Sequence, residues 1–507
     1  MDPLVSLYHP ACNTTQQFSF LYITEGLQLL KDSIPTGASH DSEERYPPPK
    51  CHPETRISIL NAITEWVADP DRSSQILWLY GPAGVGKSAI AQTVAETLAN
   101  LGQLGASYFF SRLVVGRNTS KHVFKDVAYQ LAHSVDGLAP LIDETVRKSP
   151  SIVDKSIDIQ LEKLIVAPFA KIFNPADRRW MMTVIIDGLD ECQGEESQLE
   201  FIDLIGKVAR QLPICFLFSS RPEVWIMDAF DDDDGDLKPI TFRCELNHST
   251  TVDNDIRTYL LAEFSRIRES RRHRRTMQSL PRPWPSPETM ETLVARASGQ
   301  FIYASTVIKF VDDPYNRPSD QLDKVLGIPS TSRLSSASQP FAELDKLYWQ
   351  ILSSSHNTEL MLQILAIIRV IIDHAYTEYI VQFAFLEDSE GSSEKLLILI
   401  EHFLDLKSGD SYFALRDVNS LIYLPDPTKK DQGHLRFFHA SFSQFLEDKG
   451  RCRELYVDPA DTHAEIASAC LRLMTIPPRR DAQSVLDYCM FFVSRIHNHY
   501  VFLTKSI

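Results

Sequence analysis

The chain has 507 residues, 44% hydrophobic and 23% charged, with 67 acidic against 51 basic side chains and a net charge of −16. That length implies about two to four domains. The acidic balance argues against wholesale binding to nucleic acid or anionic lipid, which needs local positive potential. Eight scattered cysteines with no CxxC pair argue against a disulfide framework and for reduced thiols in a cytoplasmic setting. The most apolar run, LMLQILAIIRVII (Leu360 to Ile372), carries Gln363 and Arg369 and is too short to span a bilayer. No charged segment ahead of an apolar run opens the sequence, so neither a leader nor a membrane partner is expected.

Residues 1–50 read as weakly structured, with one helix near Ile23 to Lys31 and then the linker-like DSIPTGASHDSEERYPPPK. From Arg56 the pattern turns helical, with Ile57, Leu60, Ile63 and Trp66 at three- and four-residue steps. Five apolar runs follow: ILWLY (76–80), SYFF (107–110), TVIID (183–187), ICFLFSS (214–220) and PITFRCEL (239–246). Helical stretches at 88–100, 121–134, 158–172 and 195–211 alternate with them. Such alternation predicts an α/β unit, a parallel sheet with flanking helices.

Beyond about residue 250 strand signals almost stop. TVDNDIRTYLLAEFSRI offers Asp253 as a cap and Ile256, Tyr259, Leu260, Phe264 and Ile267 on one face. A proline-rich break at 281–287, the helix pair METLVARASGQFIYASTVIKFV and a Ser/Pro-rich linker at 329–340 come next. A compact helical region then carries two short strand candidates, SLIYL (420–424) and LRFFH (435–439), which together predict a winged-helix module. The stretch 459–507 reads as helical, and no exact internal repeat is present.

Gly81-Pro82-Ala83-Gly84-Val85-Gly86-Lys87-Ser88 fits GxxxxGK[ST] between a strand and a helix that runs on through Ala89. Glycines there let backbone N–H groups close around phosphate oxygens, and the helix adds its positive end. Lys87 would reach the β- and γ-phosphates, and the Ser88 hydroxyl would ligate Mg2+. In TVIIDGLDECQ (Thr183 to Gln193) a buried strand delivers Asp187 to the same Mg2+ shell. Asp190 or Glu191, just beyond, is placed to polarise an attacking water. CFLFSSRPE (Cys215 to Glu223) ends a third strand at Arg221, placed either to sense a γ-phosphate or to pair with Glu223. The basic run Arg266 to Arg275 reads as a solvated helix face, and DDDDGD (231–236) as a charged loop without calcium-loop spacing.

Together GPAGVGKS, IIDGLDE and SSRPE resemble a NACHT domain, a branch of the signal-transducing (STAND) P-loop NTPases that includes NOD-like receptors. The flanks resemble fungal NACHT proteins, with a nephrocystin-3-like N-terminal region. YPPPKCHPETRISIL looks like the segment leading into that domain, which implies Thr55 and Arg56 near the nucleotide. ASGQFIYASTVIKFV is similar to the helical-domain signature. FFHASFSQFLED (Phe437 to Asp448) is similar to the winged-helix motif whose histidine, here His439, touches the β-phosphate of bound ADP. By itself, a histidine between Phe438 and Phe442 is more often a packed core residue than a ligand. Where relatives often place a proline against adenine, this chain has Gly299-Gln300-Phe301.

The resemblance implies an α/β P-loop NTPase domain at 51–248, a helical domain at 249–335, a winged-helix-like domain at 336–450 and a C-terminal helical segment at 451–507, after an N-terminal segment at 1–50. That last segment resembles the start of a repeat array, so a truncated member or a scaffold is also expected as an alternative. The implied function is an ATP/ADP-dependent signalling switch with slow Mg2+-dependent hydrolysis. Its partners would be nucleotide and either protein partners or further copies of itself, and the acidic balance disfavours nucleic acid. The rival is a P-loop turnover enzyme, either a small-molecule kinase or a nucleic-acid-stimulated ATPase.

Overall fold

The computed structural model describes residues 24–173, 182–232, 237–247, 250–327, 341–374, 392–424 and 435–475. Five parallel strands form one sheet: β1 (Ile76–Tyr80), β2 (Leu104–Phe109), β3 (Met182–Asp187), β4 (Ile214–Ser220) and β5 (Thr241–Glu245). Their spatial order is β2-β3-β4-β1-β5. Side chains alternate between two cores, as the pleat requires. Trp78, Val184, Ile186, Phe216 and Phe218 face one core, while Leu77, Leu79, Ile185 and Leu217 face the other. Burial on both faces is why these strands read as unbroken apolar runs.

Helices of this unit are, in chain order, α1 (Glu25–Asp32), α2 (Ile57–Ala68), α3 (Lys87–Asn100), α4 (Val123–Ser134), α5 (Leu138–Lys148), α6 (Ile157–Leu161), α7 (Ala167–Ile172), α8 (Glu195–Ala209) and α9 (Val224–Asp231). From α2 and α3, Ile63, Trp66, Ile90 and Val94 pack on one face; from α4, α5 and α8, Phe124, Ile142 and Phe201 pack on the other. Helix α5 is outside the expected set and carries Pro140 as its third residue. In the first turn its missing N–H removes no intrahelical bond.

The linker-like residues after α1 are docked rather than free. The Ala38 carbonyl accepts from the Phe109 N–H at 2.8 Å, and Ser107 Oγ accepts from the His40 N–H at 2.9 Å, so this segment covers the β2 edge. Asp143 Oδ1 accepts from the Gly26 N–H at 2.8 Å and seats the start of α1. Partners this distant in sequence leave no local periodicity to read.

After β5 the chain forms α10 (Thr250–Glu269), α11 (Arg274–Met277), α12 (Pro287–Ala297), α13 (Phe301–Val311), α14 (Pro318–Leu326), α15 (Ala342–Ser353), α16 (Thr358–His374), α17 (Ser392–Phe403) and α18 (Asp410–Leu415). The antiparallel pair β6 (Ile422–Tyr423) and β7 (Arg436–Phe437) follows, then α19 (Ala440–Glu447), α20 (Lys449–Cys452) and α21 (Pro459–Met474). Helices followed by a small β wing give the expected winged-helix arrangement. One continuous apolar core runs from Val252 to Cys470, so the helical and winged regions share it.

Asp253 lies inside the first turn of α10 rather than capping it, because the helix already begins at Thr250. The basic run spans a helix end and a turn: Arg266 pairs with Glu263 and Asp312 at 2.7 and 3.0 Å, and Arg268 donates to the Leu280 and Pro281 carbonyls. Arg369 within α16 is buried, its Nη1 donating to the Leu446 carbonyl at 3.1 Å. Among the described residues no helix is long and apolar enough to cross a membrane. The 329–340 linker, most of the 231–236 acidic loop and 476–507 lie outside the described residues.

Candidate functional site

Strand β4 lies between β1 and β3, so the loop after β1 and the acidic turn after β3 flank the end of β4. Loop 81–86 joins β1 to α3. Gly86 has φ +98°, a conformation that strains any side-chain-bearing residue, and the space beside it is open, with no atom within 4 Å of the position a Cβ would take. Gly84 serves a close approach: a Cβ there would meet Ile302 Cγ2 at 2.4 Å, and the Gly84 carbonyl accepts from the Ile302 N–H at 3.1 Å. Lys87 Nζ curls back to the Gly81 and Pro82 carbonyls at 2.7 and 2.9 Å. Burial holds its pKa below the usual lysine range.

Asp187 ends β3 and is 3% exposed. Burial pushes its carboxyl up, while hydrogen bonds from the Ser219 and Ser88 hydroxyls act in the opposite direction. Ser219 Oγ donates to Asp187 Oδ1 and accepts from the Gly188 N–H at 3.1 Å. Ser219 was absent from the expected site residues, and its one local signal is the Ser-Ser pair closing an otherwise apolar strand.

Asp190 and Glu191 separate in role. Asp190 faces Arg221 with both oxygens. Glu191 Oε2 accepts from the Arg112 N–H at 3.1 Å, and burial with the neighbouring Asp190 charge pushes its carboxyl up to about 7. Arg221 pairs with Asp190 rather than with Glu223, and its Nη2 reaches Gln444 Oε1 of α19 at 3.4 Å.

His439 caps α19. Its Nδ1 accepts from the Ser441 N–H at 3.0 Å, which puts the proton of the neutral ring on Nε2. Burial, then the charges of Arg221, Lys87 and Lys309, lower its pKa to about 3. The Ser441 hydroxyl also meets Tyr348 Oη at 2.9 Å, fixing the ring from behind. Thr55 is buried, with Oγ1 donating to the His52 carbonyl at 2.7 Å. Arg56 Nη2 donates to the Val85 carbonyl at 2.7 Å, its N–H donates to Asp255 Oδ2 at 3.1 Å, and its guanidinium covers the Phe301 ring. It ties the loop to Asp255 and Phe301 of the helical region.

All the expected site residues except Gly81, Pro82 and Val85 line one cavity of about 1700 Å³. Among the described residues, nine lysines and arginines line it against five carboxylates, in a chain whose net charge is −16. Arg45, Lys309 and Arg436 are among these cations and were absent from the sequence expectations, since each comes from a different element with no motif of its own.

A phosphate chain fits the open Gly86 backbone, the first-turn N–H groups of α3 that have no intrahelical acceptor, and the basic lining. Mg2+ fits the two hard oxygen donors, Ser88 and Asp187, since that ion usually takes one or two protein oxygens plus phosphate and water. Among the described residues no group of three or more His, Cys, Asp or Glu side chains is arranged to hold a metal alone.

A family model described as "Nephrocystin 3, N-terminal" matches residues 57–221, the stretch from α2 to Arg221. No curated protein matches the chain. Among solved structures, a Walker-type ATPase of Pyrococcus abyssi is 11% identical, covering 78% of this chain and 97% of its own, with a TM-score of 0.34. The ORC1 protein of Aeropyrum pernix in complex with DNA is 13% identical, covering 87% and 96%, with a TM-score of 0.33. The ORC2 protein of the same organism (ADPNP–ADP complexes) is 12% identical, covering 87% and 100%, with a TM-score of 0.34. The sheet order and the glycine loop make the first unit a P-loop NTPase fold.

Proposed function

We propose that the chain is a nucleotide-operated signalling switch of the NACHT type, cytoplasmic, and related in role to innate-immunity or self/non-self signalling proteins. One observation carries the reading: Lys87 of the sheet unit and His439 of the winged region line the same cavity, and Arg221 bridges those two regions. A phosphate site shared by two distant modules makes the contacts between them depend on what is bound there. Ligand-dependent contacts between modules are what set the state of a switch.

In this reading the loop from Gly81 to Ala89 cradles phosphates, and Thr55 and Arg56 support it from the side. Ser88 and Asp187 hold Mg2+, which would neutralise charge on the phosphate oxygens when bound. Glu191 accepts the proton of the attacking water, Asp190 holds Arg221, and Arg221 faces the terminal phosphate. His439 donates Nε2–H to a bound ADP and keeps the winged region closed. Exchange for ATP opens the module to protein partners or to further copies of itself, and slow hydrolysis resets it.

Nucleotide released by denaturing the purified chain tests this directly. ADP near one equivalent supports the resting switch, and its loss in Lys87→Ala assigns the site. DNA-stimulated ATP hydrolysis, or rapid turnover with no retained nucleotide, would favour the turnover enzyme instead.

A further inference from the structure

Lys309 is a cation that the proposed switch leaves without a task. It lies on α13, whose first turn is tied to the phosphate loop by the Ile302–Gly84 hydrogen bond, and it lines the same cavity as Lys87 and His439. Its Nζ sits 3.1 Å from the ring centroid of Phe438, the residue preceding His439. Among the described residues no carboxylate pairs with it. Burial, and then the Arg436 guanidinium on β7, lower its pKa to about 7, while its own charge is felt at His439 together with those of Arg221 and Lys87. A crowded cationic centre of this kind is stabilised by an incoming anion.

An ammonium on an aromatic face is held less strongly than one bonded to a phosphate oxygen. An anionic ligand that comes within reach therefore competes with Phe438 for the same side chain. A triphosphate carries more negative charge than a diphosphate and competes better. Phe438 packs edge-on against Tyr423 of β6, so moving its cation disturbs the β6–β7 pair.

We propose that Lys309 is a phosphate-responsive latch, clamping the β6–β7 end of the winged region through Phe438 and moving to the terminal phosphate when a triphosphate binds. It rests on the nucleotide-switch reading and adds to it a residue that discriminates ATP from ADP. His439 and Lys309 then act in opposite directions: the first holds the closed state on ADP, and the second leaves it on ATP.

The test is titration of the full chain with a fluorescent ADP and a fluorescent non-hydrolysable ATP analogue, each with Mg2+. Lys309→Met is expected to weaken the ATP analogue by about tenfold or more, the worth of one charge-assisted hydrogen bond, and to leave ADP within about threefold. Lys309→Arg should keep most of the wild-type preference. Phe438→Leu, which removes the competing ring and keeps the lysine, should tighten the ATP analogue several-fold. The Phe438 variant carries the test alone if Lys309→Met does not fold. Equal losses for both nucleotides, or an unchanged ATP preference in Lys309→Met and Phe438→Leu, would overturn the latch. A wild-type chain that binds neither nucleotide removes the switch reading, and the latch falls with it. Wild-type binding with unaltered variants removes only the latch.

Discussion

Asp190 receives Arg221 twice, Oδ1 accepting the backbone N–H at 2.9 Å and Oδ2 facing Nε at 3.1 Å. The two side chains are 4% and 20% exposed, and they tie the acidic turn after β3 to the end of β4. A carboxylate expected beside Glu191 as a water activator is therefore engaged, and Glu191 is the freer of the two.

Removing one partner of this pair strands the other in a poorly solvated place. Asp190→Ala is expected to lower the unfolding free energy by about 2 kcal/mol, less than the ~3–5 for a fully buried pair because Arg221 keeps some water. Urea denaturation measures it. A loss below about 0.5 kcal/mol would mean that the pair adds nothing beyond its surface value.

Glu191→Gln keeps an oxygen for the Arg112 N–H but cannot take a proton. Nucleotide binding should persist while hydrolysis falls by about 100-fold or more. In the parent chain, a carboxyl pushed up to about 7 becomes increasingly ionised as pH rises through that value, so single-turnover hydrolysis should rise as pH increases through 7. A flat profile between pH 6 and 8 would remove Glu191 from the proton-accepting role.

Ser219 serves two buried groups at once, the Asp187 carboxylate and the Gly188 N–H. Ser219→Ala leaves both short of a partner and should cost about 1–3 kcal/mol of stability. Thermal unfolding of this variant beside Ser220→Ala, whose hydroxyl donates to the adjacent Arg221 carbonyl and accepts from the Trp78 indole, separates the two serines. An unchanged melting temperature in Ser219→Ala would show that water replaces the hydroxyl.

His439 has a lowered folded pKa of about 3, against 6.5 for the free side chain. Between those values the unfolded chain binds a proton that the folded chain refuses. Stability is thus fully present above pH 6.5 and falls as pH drops through that window. At pH 5 this group alone contributes a loss of up to about 2 kcal/mol. His439→Asn, which can still accept from the Ser441 N–H, should show a smaller drop between pH 7 and 5 in urea unfolding. Equal drops in the two proteins would place the histidine in contact with water.

Arg436 on β7 donates to the Glu44 and Tyr46 carbonyls at 2.7 and 2.6 Å, pinning the N-terminal segment to the winged region. Arg436→Ala should expose residues 36–50 to limited proteolysis at protease levels that leave the parent chain intact. Cleavage elsewhere, with this segment still protected, would show that the β2 edge holds it alone.

Local chemistry made the glycine loop, the five strands and the Asp187 turn legible, because each depends on residues adjacent in the chain. Apolar runs of strand length mark strands buried on both faces, and the glycine spacing marks a backbone that must turn sharply. The winged helix was legible from order and length, and Arg221 from its place at a strand end. Much of the basic lining around the phosphate loop was not. Arg45, Lys309 and Arg436 come from an edge-covering segment, a helix and a two-residue strand, and only the folding of distant elements brings them to one cavity. The roles of Asp190 and Glu191 were likewise undecided in sequence, since adjacent carboxylates differ only in which of them meets an arginine. That choice depends on β4 lying between β1 and β3, a strand order that long-range packing sets and local propensity does not.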